Sequence, residues 1–170
     1  MNFTIKLYSY WVSIFLIFFL GVISIIFLFW GLNVSFWQAV LVFVIAGMIP
    51  PAIMTFYYSK RLNYMESDNI EPPQFEGQKK ATFLIKRNNK SSFDEVLQKI
   101  DRQWIISYSD RKNGVLKFRT DARMTSWGLG GYAKMEEDDK VLVIIYPVHP
   151  SSAREKKMVV QTLRIMRTIF

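Results

Sequence analysis

The chain contains no cysteine and a single histidine, His149. These scarcities exclude a disulfide framework, a thiolate nucleophile, and the Cys-x-x-Cys and His-x-x-x-His metal patterns. Neither a Gly-x-Ser-x-Gly elbow nor a kinase signature is present. His149 lies between prolines in "PVHP", which reads as a turn and not as a general base. No catalytic residue, cofactor or metal is therefore expected, and the protein reads as a non-enzyme.

Charge is also scarce, but only at the front. Positions 7 to 59 carry no Asp, Glu, Lys or Arg. Crossing the hydrocarbon core takes ~20 residues, so this run is long enough for two spans. It divides at Gly31-Leu32-Asn33-Val34-Ser35, which predicts spans near 10–30 and 36–58 within a hairpin covering 1–61. Backbone groups in lipid must be satisfied within their own segment, so both spans are expected as helices. Trp11, Trp30, Trp37, Tyr57 and Tyr58 fall near the expected ends, where amphipathic rings favour the headgroup zone. A cleaved signal peptide would have a shorter apolar core and an Ala-x-Ala-like site.

Lys6 precedes the first span, Lys60-Arg61 follow the second, and the intervening loop has no basic residue. The positive-inside rule then puts both termini in the cytoplasm, as expected for a bacterial inner-membrane protein. No ionisable group lies within the spans and no Gly-x-x-x-Gly motif marks a dimer face, which argues against an ion path through one chain. Gly47, Pro50 and Pro51 are expected to break or kink the second span and to form a membrane hinge.

All 14 acidic residues and 21 of the 22 Lys and Arg lie from position 60 onward, leaving that part at +7. The excess suits an anionic membrane surface or polyanion, and equally follows from positive-inside bias and solubility. Basic residues are scattered among acids without an RNP-like strand or helix-turn-helix, so specific nucleic-acid binding is not expected.

Residues 62–80 mix acids, Pro72-Pro73, Gly77 and amides without periodicity, and read as a linker. A small α+β domain is expected over 81–170, with an antiparallel sheet and two helices in the order β-α-β-β-β-β-α. Its strands are read at Ala81–Arg87, Trp104–Ser109, Val115–Asp121, Tyr132–Glu136 and Val141–Tyr146. The last, an unbroken apolar run, is expected to be the central strand. In the third, Leu116 and Phe118 alternate with Lys117 and Arg119. Asn113-Gly114 suggests a type I′ hairpin turn, and the acidic run Glu136 to Asp139 a solvated turn. Capping-box patterns, Ser92 with Glu95 and Ser152 with Glu155, open a helix to about Gln103 and a last, basic amphipathic helix. That helix is expected to cover the sheet; lying on the membrane surface is the alternative. In layout the chain resembles membrane-tethered pleckstrin-like proteins of bacteria, departing from their uninterrupted strands at helix 92–103.

The stretch "RMTSWGLGGYAKM" holds three of the eight glycines. It lacks Gly-x-Gly-x-x-Gly spacing, a Gly-Lys-Ser/Thr ending and a following helix, so a bent strand is expected in preference to a phosphate loop. Arg119, Arg123, Trp127, Gly128, Gly130, Gly131 and Lys134 form the candidate ligand or partner surface, a basic mouth with an aromatic lining. Packing of Trp127 over the sheet end is the plainer reading.

Two functions remain. One is an accessory, scaffold or regulatory subunit whose domain binds a protein partner or anionic lipid surface. The other is a membrane effector, of defence or toxin type, in which a small anionic ligand drives homo-oligomerisation of the spans to disrupt the membrane.

Overall fold

The computed structural model describes residues 3–31, 35–85, 92–121, 126–137 and 139–170. It divides into two compact units, Met1–Ser59 and Lys60–Phe170.

The first unit is built from α1 (Phe3–Trp30) and most of α2 (Phe36–Glu66), which continues into the second unit. Both helices are long and apolar enough to cross a membrane. In α1 the hydroxyls of Ser13 and Ser24 are satisfied locally, donating to the carbonyls of Ser9 and Leu20 at 2.9 and 2.8 Å. Phe18, Leu28 and Phe56 are 71, 77 and 82 % exposed, so the apolar side chains face outward. The helices meet through an edge-on Phe19–Phe43 pair and at Gly47, where a Cβ would fall 2.2 Å from Leu16 Cδ2.

The break expected at Pro50-Pro51 is absent, because α2 is continuous through both prolines. Two prolines remove only the donors that would reach two carbonyls one turn earlier, and the rest of the ladder holds. A reciprocal capping box opens α2: Ser35 Oγ accepts from Gln38 N at 3.4 Å, and Gln38 Oε1 accepts from Ser35 N at 3.1 Å.

The second unit contains β1 (Lys79–Leu84), α3 (Ser92–Asp101), β2 (Ile105–Asp110), β3 (Val115–Arg119), β4 (Leu129–Glu136), β5 (Lys140–Pro147) and α4 (Ala153–Ile169). The element order is the one the sequence pattern predicts. The strands form one antiparallel sheet in the order β1-β5-β4-β3-β2, so β4 occupies the middle and the apolar β5 lies beside it. On one face α3 and α4 close a core of Phe93, Val96, Ile100, Val143, Ile145, Val159 and Met166 among others. The last helix therefore covers its own sheet.

The other face is covered as well. Leu62 and Met65 at the end of α2 are buried, and Tyr64 packs with Val115, Tyr132 and Ile144. The stretch expected as a linker is thus helical to Glu66 and then lies against the sheet, with Tyr132 Oη donating to Ile70 O at 2.8 Å. A bulge between Ile106 and Tyr108 frees Ser107, whose hydroxyl donates to Met65 O at 2.7 Å.

The turn between β2 and β3 differs from type I′. Gly114 has φ 63° but Asn113 is not among the positive-φ residues, and Gly114 N donates to Arg111 O at 3.3 Å. Asp110 supplies the reason, accepting from both the backbone N and the side-chain Nδ2 of Asn113, at 3.2 and 2.6 Å. An Asx-type pairing thus closes a longer loop.

Candidate functional site

The glycine stretch leads into the central strand β4 and is built around two rings. Gly131 faces Phe118 in the β3–β4 register, and Gly130 faces Tyr146 in the β4–β5 register. A Cβ on Gly131 would sit 2.2 Å from the Phe118 ring, and one on Gly130 2.3 Å from the Tyr146 ring. Each glycine admits an aromatic ring over the backbone, on opposite faces of β4. Gly128, at φ 99°, makes the bend that leads into the strand.

Glu155 holds this bend in place and was visible in the sequence only as a capping residue. Ser152 Oγ does accept from Glu155 N, at 3.2 Å. The Glu155 carboxylate, however, turns inward instead of back to Ser152. Its Oε1 accepts from Ser126 Oγ at 3.0 Å and Trp127 N at 2.7 Å, and its Oε2 from His149 N at 2.8 Å. Burial raises the carboxyl pKa, and the bonds from His149, Trp127 and Ser126 pull against that rise.

The candidate surface read from the sequence is dispersed by this packing. Trp127, Gly128, Gly130 and Gly131 are buried, and Arg123 lies outside the described residues. Arg119 is paired with Asp121 at 3.2 Å and lines a depression of about 390 Å3 with Trp104, Thr120, Ser126 and Met158. Lys134 is exposed and opposite Val115, four residues along β4 from Gly130, or roughly 13 Å at a strand rise of about 3.3 Å per residue.

A second groove, about 310 Å3, lies where α4 passes the edge strand β1. Lys79, Lys80, Ala81 and Phe83 form one wall, and Val160, Leu163, Arg164 and Arg167 the other. The α4 residues recur at i, i+3, i+4 and i+7 and so make one stripe of the helix. None of the lining residues is acidic. The two arginines belong to the polar side of the last helix in a sequence reading, and nothing there brings them to Lys79 and Lys80.

Among the described residues no group of three or more His, Cys, Asp or Glu is placed to hold a metal ion. Comparison with protein families and with curated proteins finds no match for this chain.

Proposed function

We propose that the protein is a non-enzymatic integral membrane protein in which α1 and α2 anchor a basic cytoplasmic binding domain. In this reading both termini lie in the cytoplasm of a bacterial cell, and the domain serves as an accessory or scaffold subunit by binding a protein partner. One contrast within the chain carries the reading. The helices turn Phe18, Leu28 and Phe56 outward, while the domain spends the apolar stripe of α4 on its own sheet. Surfaces of the first kind call for lipid or other helices, and a closed basic domain suits binding in water.

The absence of cysteine makes the test direct. Single-cysteine variants S35C and S151C are expressed, and membranes are extracted with alkaline carbonate. The protein is expected in the pellet, with S35C labelled by an impermeant maleimide from outside and S151C only after lysis. Release into the supernatant, or the reverse labelling, overturns the reading. Mild-detergent purification then separates an accessory subunit, which yields a reproducible hetero-complex, from an effector, which yields a homo-oligomer with a small anion bound.

A further inference from the structure

We propose that the groove between β1 and α4 receives an extended acidic segment of a partner protein, added as a strand along the free edge of β1. This deepens the protein-partner reading above and rests on it.

β1 stands at the end of the sheet and pairs only with β5. Backbone donors and acceptors on its other side have no strand beside them among the described residues, and such an edge is a template for another chain. The groove runs beside this edge. A ligand strand lying between a sheet edge and a helix takes affinity from main-chain hydrogen bonds and specificity from alternate side chains.

Charge selects the occupant. Lys79, Lys80, Arg164 and Arg167 all line the groove, and none makes an ion pair or hydrogen bond with another described side chain. Lysines on an edge strand are a common protection against unwanted pairing, which would account for Lys79 and Lys80 alone. It does not account for two arginines across the groove on a helix. Carboxylates entering among four cations relieve their mutual repulsion, and Phe83 and Leu163 offer an apolar floor for every second side chain. A lipid headgroup would use the cations but has no use for a strand edge.

The test uses the full-length protein in mild detergent and a pool of fluorescein-labelled peptides, with Glu fixed at alternate positions and Val, Leu, Ile or Phe between. Anisotropy is expected to show saturable binding on the order of micromolar. The double variant R164E/R167E, exposed on α4 and checked for folding by circular dichroism, should weaken it roughly tenfold or more. Methylating the peptide nitrogens at odd or at even positions should abolish binding in one series only, because alternate amides face the sheet edge.

Failure of the pool to bind, or equal binding to R164E/R167E, overturns the proposal. So does indifference to methylation in both series, which would mean attraction by charge alone. Binding of phosphatidylglycerol vesicles that is lost in R164E/R167E, with no methylation effect on the peptides, would reassign the groove to a lipid headgroup. Carbonate extraction reads anchoring and does not depend on the groove, so failure of the two readings is distinguishable.

Discussion

Lys117 Nζ donates to the carbonyl oxygen of Ser67 at 2.8 Å, joining the middle of β3 to a residue 50 positions earlier in the chain. The same ammonium donates to Tyr64 O at 2.8 Å and Ser67 Oγ at 3.1 Å, and it lies 4.0 Å from the Tyr64 ring centroid. It is fully buried. Lys117 therefore fastens the segment after α2 onto the second face of the sheet.

Replacing Lys117 by Met keeps the aliphatic stem and takes this donor from Ser67 O and Ser67 Oγ, while Tyr64 O keeps its bond from Ser67 Oγ at 3.0 Å. Buried acceptors left unmet cost roughly 1–3 kcal/mol each, offset in part by relief from burying a charge. K117M is expected to be destabilised by about 1–3 kcal/mol in denaturant unfolding, with early proteolysis near residues 67–78.

Stability should also depend on pH through this residue. Desolvation pulls the Lys117 pKa from 10.5 down to about 8, with Asp68 acting weakly in the opposite direction. Above about pH 8 the folded chain gives up its proton first, while the unfolded chain keeps its own until about 10.5. The unfolded state binds more protons throughout that window, so stability rises with pH across it. Burial raises Tyr132 from 10.0 to about 12 and Tyr146 well above 10.0. Above about pH 10 the unfolded chain is then the first to lose phenolic protons, and stability falls again. Unfolding followed from pH 7 to about 11.5 should show a maximum near pH 10. K117M should lose the rise and keep the fall.

Glu155 is expected to behave as a backbone anchor. Glu155→Gln can still accept from Ser126 and Trp127 through one oxygen, but its amide nitrogen cannot accept from His149 N. A loss of about 1–3 kcal/mol is expected for E155Q, and more for E155A, read as a lower unfolding midpoint. Equal midpoints for wild type and E155A would refute the anchoring role.

The glycine–ring pairs predict coupling. Gly131→Ala drives a methyl into the Phe118 ring and should cost roughly 1–3 kcal/mol. F118L, costly in the native background, should recover part of that loss in G131A, because the smaller side chain leaves the methyl room. A double-mutant cycle measures the effect, and strict additivity would contradict the contact.

In the first unit, Gly47→Leu should disturb helix pairing at Leu16, and L16A should restore it. Thermal stability of the detergent-solubilised protein checks both variants.

Much of this architecture is local and therefore readable along the chain. The uncharged run from 7 to 59, divided at its turn formers, is legible as two apolar helices, each long enough to span a membrane. Period-two and helical patterns likewise determined the order of the strands and helices in the domain. Tertiary structure decided the rest. Whether Lys117 faces water or a buried carbonyl depends on what covers the second sheet face, and that cover comes from 50 residues upstream. Glu155 carries a capping pattern, yet its carboxylate serves backbone amides brought near by the bend at Gly128. The groove cations Lys79 and Arg164 are distant in sequence and meet only because α4 crosses the core beside the sheet edge. Such meetings have no period along the chain; packing creates them by burying apolar faces and carrying the polar groups attached to them into contact.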